Sequence, residues 1–214
     1  MTFKRLLILG ASGHGRVVAD CARAQGAWSE ILFFDDRWPK LTQNATWAVA
    51  GGSDQIVGAA RSDDELFVAI GHSATRVRFL NAFMHAGARL ATIIHPNASV
   101  SVGASIGAGS IVVAGAVVNI GASIDVGCIV NTGASVDHDC KLGAGVHVCP
   151  GGRLAGDVKV GAGSWVGIGA AVKQGVTIGE NVTIGAGAAV VHDVEGHQTV
   201  VGVPARPIKK QHVI

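Results

Sequence analysis

From residue 94 to residue 195 the chain keeps time in sixes. Every sixth residue from Ile94 to Val190 is aliphatic, seventeen in register without an insertion, among them Val118, Ile124, Val130, Val136, Leu142, Val148 and Leu154. Four residues after each stop the side chain is small or β-branched, as at Ala116, Ala122, Cys128, Ala134, Cys140 and Val146. A period of six matches neither an α-helix nor a hairpin strand; it is the hexapeptide signature of a parallel β-helix. The even offset between the aliphatic and the small residue keeps both on one face, so both point inward. Glycines between them fall where the chain turns a corner. The hexads absorb most of the 31 glycines, which lack the every-third spacing of collagen.

The first ninety residues read differently. Residues 5–9, Arg-Leu-Leu-Ile-Leu, have the continuous apolar character of a buried parallel strand. Gly10-Ala-Ser-Gly-His-Gly15 follows, then a helix expected over 16–25 that Gly26 ends. A second strand over 31–34 runs into Asp35-Asp36. A glycine loop between strand and helix, with an acid about twenty residues on, is the physical plan of a nucleotide site. Glycines let backbone approach phosphate, the helix start supplies N–H groups and positive potential, and a carboxylate meets hydroxyl or ring N–H donors. The spacing is G-x-x-G-x-G rather than G-x-G-x-x-G, so a dinucleotide is not the natural ligand; a turn that merely lets strand pack on helix is the alternative. Further on, 51–54 should cap a short helix, 66–70 is a third strand, 71–73 opens a helix to about residue 85, and 90–94 is a last strand feeding the first hexad. Ligands of open α/β sheets bind outside the carboxyl ends of strands, which gathers loops 10–15, 35–37 and 71–76. On that expectation Ser12, Gly13, His14, Asp35, Asp36, Gly71 and His72 line one site and Arg76 faces a phosphate, or is a solvated helix charge. The division expected is a small Rossmann-like α/β domain over 1–90, the β-helix over 91–195 and a terminal cap over 196–214.

Composition sets bounds. A formal charge of +2 without a Lys/Arg-rich run gives no reason to expect a nucleic-acid partner. There is no run of eighteen strongly apolar residues and no signal-peptide cleavage region after the first strand, so neither membrane insertion nor secretion is expected. Cys21, Cys128, Cys140 and Cys149 show no CxxC spacing, and Cys128 and Cys140 occupy inward hexad positions; neither disulfides nor zinc is indicated, and a reducing cytoplasm fits.

Outward positions of the β-helix hold mostly small residues, which makes its histidines conspicuous: His138, His147 and His192. Val136-Asp-His-Asp139 is the densest polar cluster of the domain and displaces the usual corner glycine. A histidine between two carboxylates is a candidate general base, because negative neighbours favour imidazolium and hold its pKa near working pH. With three hexads to a turn, residue i lies one rung from i+18, which puts Gly156 over His138 as a candidate oxyanion donor. His147 is half a turn away, so only a neighbouring copy in a ring of three would bring it to His138. Asn131, one hexad earlier, is placed to bond substrate or an imidazole. At the far end, Val200-Val-Gly-Val-Pro-Ala-Arg-Pro-Ile-Lys-Lys210 ends regular pairing and should cover the open end of the solenoid. Arg206, Lys209 and Lys210 are either a phosphate clamp or a solubilising tail.

The hexad array with its terminal Gly-Val-Pro-Ala-Arg-Pro resembles the left-handed β-helix acetyltransferases. Gly10-Ala-Ser-Gly-His-Gly, Phe33-Phe-Asp-Asp36 and Ile129-Val-Asn-Thr-Gly-Ala-Ser-Val-Asp-His-Asp-Cys140 narrow the likeness to enzymes that N-acetylate nucleotide-linked 4-amino-4,6-dideoxy sugars in bacterial glycan synthesis, the bacillosamine-pathway acetyltransferases. Sialic acid O-acetyltransferases and GDP-perosamine N-acetyltransferases share the layout. The resemblance implies a cytoplasmic homotrimer with sites between adjacent β-helices. It implies a nucleotide-sugar held by the N-terminal domain near Ser12, Gly13, His14, Asp35 and Asp36, and acetyl-CoA as cosubstrate without a metal. His138 matches the family's base, Asp139 the acid beside it, His147 a second histidine of the cleft and Gly156 the amide facing the thioester oxygen. Ile168 and Ala186, with Gly185 beside it and Arg206 beyond, fall along the CoA channel; Ala186 stands where some relatives have glycine.

Three other readings carry different expectations. Transfer to a hydroxyl instead of an amine would need the same base. A γ-class carbonic anhydrase on this solenoid would need three histidines converging on zinc, of which His138 and His147 supply two and no third lies near. A trimeric sugar-binding scaffold would need no base at all.

Overall fold

A computed structural model describes residues 4–208, so Lys209 and Lys210 lie outside the described residues. The chain divides into two compact units. One comprises residues up to Pro96 together with Ala108–Ile111, the other Asn97–Gly107 and everything from Val112.

The first unit is built on a five-stranded sheet in the order β3-β4-β2-β1-β5. Its strands are β1 Arg5–Leu9, β2 Glu30–Phe34, β3 Gln43–Asn44, β4 Trp47–Gly51 and β5 Glu65–Val68. β1 lies inside the sheet, where Leu6 to Leu9 are buried on both faces, and it pairs in parallel with β2 and β5. Helix α1, Gly13–Gln25, ends in a left-handed Gly26, and α3, Ser73–His85, follows β5. Between β4 and β5 lies the one-turn helix α2, Ile56–Ala59. Leu7, Leu9, Phe34, Leu66, Val68, Leu80 and Phe83 form one apolar core.

Several details depart from the sequence reading. The strand expected over 90–94 is only Ile93–Ile94, with Leu90 making a single bridge to Leu66. α1 begins at Gly13 rather than at residue 16, drawing two glycines into a helix despite their entropic cost. Packing decides this: a methyl group on Gly15 would overlap the Gly10 carbonyl oxygen and meet the Phe33 ring at 3.1 Å. The short helix starts after Gln55, whose side chain makes no capping bond, while Gly51 ends β4. The β3–β4 hairpin went unpredicted, since its turn places Ala45 at φ 53° without an Asn-Gly or Asp-Gly signal.

The second unit is the coil that the hexads demand. Two-residue strands stack in parallel onto the strand eighteen residues away, Val118 on Val136, Ile124 on Leu142 and Val130 on Val148. This gives three sheets, one per face. From Val112 to Val190 the inward aliphatics are buried, with Cys128, Ala134, Cys140, Val146 and Val158 between them. Corners repeat as regularly: every sixth residue from Gly109 to Gly187 has positive φ, and all are glycine except Asp139, Asp157 and Asn181. The last rung is Thr199–Val201, on which Arg206–Pro207 folds back antiparallel, so the final strand of that sheet reverses direction. The four cysteines are buried and no two form a disulfide. Among the described residues no helix is long and apolar enough to cross a membrane.

Candidate functional site

On the coil, strand Ser135–Val136 ends at Asp137 and the chain turns through His138 and Asp139 before Lys141–Leu142. Asp137 Oδ1 accepts from the His138 amide (2.7 Å) and from Asn119 Nδ2 one rung away (2.8 Å). The Asp139 amide donates to the Ile120 carbonyl (3.2 Å), and the His138 carbonyl accepts from Asp157 (2.9 Å). The turn is therefore pinned from both neighbouring rungs.

His138 Nδ1 lies 2.9 Å from Asp139 Oδ2. A carboxylate only accepts, so Nδ1 carries the proton and Nε2 keeps its lone pair in the neutral ring. The ring is 58% exposed and lies against Gly156, which is buried; a methyl group there would overlap Nε2 and meet Cε1 at 2.5 Å. The hydrogen bond to Asp139 raises the His138 pKa above the ordinary histidine value; burial opposes it, and the negative potential of Asp137, Asp139 and Asp157 adds to the rise. Asp137 is held below the usual carboxylate range, first by the Asn119 amide and then by the His138 N–H.

A second cluster sits on another face. His147, on strand His147–Val148, is buried and its ring centroid lies 4.2 Å from that of Trp165, edge-on. Asn131 Oδ1 accepts from the Thr132 amide (2.8 Å), which turns Nδ2 toward His147 Nε2 at 3.1 Å. His147 and Asn131, named separately from the sequence, are thus brought together, and Trp165 joins them. Ile168 is 61% exposed and its carbonyl accepts from Gly187, which stacks exposed Ala186 over it on one corner, with Gly185 adjacent. Arg206 is exposed and its guanidinium turns back to the Ala205 carbonyl (2.9 Å). The cysteine thiols are poor nucleophiles: burial raises the pKa of Cys140 and pushes Cys149 up to about 12. A hollow of the coil, about 760 Å³, is an open trough along the face of Lys141 and Lys159, and none of these histidines lines it.

The N-terminal unit has its own cleft of about 400 Å³, lined by Gly10, Ser12, Asp35, Asp36, Gly71 and Phe79. The three loops gathered from the sequence do meet there. Gly10 has φ 106°, and a methyl group on it would press on the Ala69 carbonyl at 2.9 Å; Gly13 has nothing within 4 Å. Two of the three glycines are therefore spent on packing, and one presents open backbone at the start of α1. Asp35 accepts from the Ala11 amide (2.8 Å) and, through both oxygens, from Arg37 Nε (2.7 Å) and Nη2 (2.9 Å). Arg37 first, aided by the Ala11 amide and outweighing burial, pulls the Asp35 pKa down to about 2. Arg37 also donates to the Ala11 carbonyl (2.9 Å) and lines the cleft, and the sequence reading did not name it. Asp36 accepts from the Ser53 amide (2.7 Å), and Asn44 donates to the Ser12 carbonyl (3.1 Å).

His14 is mostly enclosed; burial, then the positive charge of Arg76, pull its pKa down to about 4, so it is neutral at pH 7. His72 caps α3, its Nδ1 accepting from Thr75 N (3.3 Å) and lying 2.9 Å from Thr75 Oγ1. Arg76 corrects the expectation. It is fully buried, and its guanidinium donates to the Ile70 and Gly71 carbonyls at 2.8 and 2.7 Å, so it braces the loop from beneath in place of facing a phosphate or solvent. Among the described residues no group of three or more His, Cys, Asp or Glu is placed to hold a metal ion.

Comparison with known proteins accords with both units. Residues 5–83 match the PglD N-terminal domain family, and 157–192 match the bacterial transferase hexapeptide family. The acetyltransferase domain of PglB from Neisseria gonorrhoeae, solved with acetyl coenzyme A, is 41% identical; the match covers 96% of this chain and 100% of that one, at a TM-score of 0.93. PerB from Caulobacter crescentus, solved with CoA and GDP-perosamine, is 36% identical over 95% of this chain and 97% of its own, at a TM-score of 0.86. A UDP-N-acetylbacillosamine N-acetyltransferase of Bacillus subtilis is 34% identical over 114 residues, about half the length of each protein.

Proposed function

Because this chain belongs to the left-handed β-helix acetyltransferases of nucleotide-linked amino sugars, we propose that it moves the acetyl group of acetyl-CoA to the C4 amine of a nucleotide-linked 4-amino-4,6-dideoxy sugar, a UDP-sugar by preference. The observation that carries the reading is the hydrogen bond from His138 Nδ1 to Asp139, which leaves Nε2 as the basic atom beside Gly156.

The mechanism is direct attack. The sugar amine adds to the thioester carbonyl while His138 Nε2 takes its proton, and Asp139 stabilises the imidazolium that forms. The Gly156 N–H stabilises the tetrahedral oxyanion. The C–S bond then breaks, and the CoA thiolate leaves and is protonated. No acyl-enzyme is needed, in keeping with the raised pKa of Cys140 and Cys149. Holding both substrates in reacting geometry supplies a large part of the rate. The nucleotide is held in the cleft of Gly10, Ser12, Asp35 and Gly71, with the open Gly13 backbone facing phosphate. CoA runs along the Ile168 and Ala186 corner toward Arg206.

The assembly we propose is a homotrimer, with acetyl-CoA lying between neighbouring coils and His147 of one copy contributing to the cleft of the next. The cellular site is the cytoplasm, where four thiols without a disulfide are at home. The test incubates the protein with labelled acetyl-CoA and a panel of UDP- and GDP-linked 4-amino sugars and hydroxyl analogues, with light scattering for the mass of the assembly. Label should pass to a UDP-amino sugar, and His138→Ala should slow the transfer by about a hundredfold or more while leaving a measurable residual rate. Wild-type rates in His138→Ala would remove the base assignment, preference for a GDP-sugar would remove the nucleotide assignment, and label on a hydroxyl would change the reaction.

A further inference from the structure

The rung beneath the catalytic turn matches it residue for residue. Asn119 lies under Asp137, Ile120 under His138 and Gly121 under Asp139, as the pairing of Val118 with Val136 requires. Each of the three makes a contact. Asn119 Nδ2 donates to Asp137 Oδ1, the Ile120 carbonyl accepts from the Asp139 amide, and Gly121, at φ 75°, leaves room that a methyl group would take from the Asp139 carboxylate. The Asp137 oxygen that accepts from Asn119 is also the one that accepts from the His138 amide. A single carboxylate oxygen therefore joins the lower rung to the backbone of the base.

We propose that Asn119 is a positioning residue for acyl transfer: its side-chain amide fixes Asp137, and through Asp137 the turn that aims the His138 imidazole. Asn119 is exposed, and its amide satisfies no buried group that the coil needs for stability. What it restrains is a side chain that would otherwise be held by the His138 amide alone. Misplacing a catalytic group by about 1 Å costs roughly a hundredfold in rate, so a partial loosening of this turn costs about tenfold. The charged groups that face His138 are Asp137 and Asp139 on its own turn and Asp157 on the rung above; the rung below offers none. Losing the hold on Asp137 therefore reduces the negative potential at the ring.

The inference rests on the function proposed above, and two readouts separate its failure from the failure of that reading. In the intact protein, Asn119→Ala should lower kcat about tenfold with the KM for acetyl-CoA nearly unchanged, and should move the NMR titration midpoint of His138 downward. Asn119→Asp keeps the shape but loses the donor and adds a charge, so it should lower kcat equally while moving the midpoint upward. Wild-type kcat in Asn119→Ala overturns the inference. So does a loss of rate with an unmoved His138 midpoint and a lowered melting temperature, which would mark a merely structural residue. If the wild-type protein acetylates no sugar of the panel, the functional reading fails, and the midpoints still report whether Asn119 governs the ring; unmoved midpoints then overturn the inference as well.

Discussion

Gly156→Ala puts the proposed base geometry to a direct test. The added methyl carbon would meet His138 Cε1 at 2.5 Å and overlap Nε2, whereas carbon atoms rest at about 3.5–4.0 Å. Relief requires the ring to retreat by roughly 1 Å. Nδ1 is 2.9 Å from Asp139, at the centre of the hydrogen-bonding range, so such a movement breaks the bond that fixes the tautomer. The expected loss is about a hundredfold in kcat, or about 2.7 kcal/mol of barrier. Stability should hardly change, because the ring is 58% exposed and retreats into solvent; the melting temperature should stay within a few degrees. Thiol release from acetyl-CoA measures the rate. The variant keeps its backbone N–H, so the oxyanion contact survives and the loss must pass through the ring. Gly156→Ala should therefore cost little in a His138→Ala background. A single variant with more than half the wild-type kcat, or a full additional loss in the double variant, would refute the placement of the ring.

Three other perturbations follow from the same geometry. Asp139→Asn removes the first cause of the raised His138 pKa, so the acid limb of the kcat/KM–pH profile should move to lower pH while the plateau falls; an unmoved limb would separate Asp139 from the base. Gly13→Ala should fold normally and weaken nucleotide-sugar binding by about tenfold, whereas Gly15→Ala should lower the melting temperature because its methyl overlaps the Gly10 carbonyl; equal effects on folding would contradict the division of labour among these glycines. Asp35 sits at about 2 in the folded protein against an ordinary 3.8, so its ionised form adds stability above about pH 4 that disappears as pH falls through about 2. Urea unfolding of Asp35→Asn should show a deficit of at most about 2 kcal/mol at pH 7, since Arg37 is largely in solvent, and the deficit should shrink steadily below pH 4.

The coil was legible because a repeat of six has one physical solution, and the count of eighteen per turn carried further than its first use. It stacked Gly156 on His138 and, applied elsewhere, stacks Trp165 on His147 and Asn119 under Asp137, both of which went unread. The corner at 137–139 announced itself because acids replaced glycine. What escaped was settled by contacts between residues distant in sequence. Arg76 looks like any helix charge until the Ile70 and Gly71 carbonyls are seen to face it, and nothing local reports that they do. Asp35 was read as open to a ligand, yet Arg37, two residues on, already holds both of its oxygens. The glycine loop carried two meanings at once, and only the approach of Ala69 and Phe33 separates the packing glycines from the open one.

Placing the base at a corner has a cost, and the column around it shows how the coil absorbs that cost. A left-handed conformation is unfavourable by roughly 1–2 kcal/mol for most side chains, and Asp and Asn are the tolerated exceptions. Of the three exceptions among the corner residues, Asp139 (φ 60°) and Asp157 (φ 54°) are successive members of one column. Above Asp157 the column continues with Gly175, and below Asp139 with Gly121, so the two acids are flanked by glycine. Both acids lie within the electrostatic reach of His138, one bonded to its ring and the other donating its amide to the His138 carbonyl. The inward residues of the same turn, Val136 and Cys140, are fully buried and keep the register of every other rung. Strain is thus confined to the backbone of corner residues whose side chains are in solvent, while the ladder that sets the position of the turn is left intact. A solenoid suits this arrangement because each rung is fixed by its neighbours above and below, so one corner can be spent on chemistry without loosening the rest.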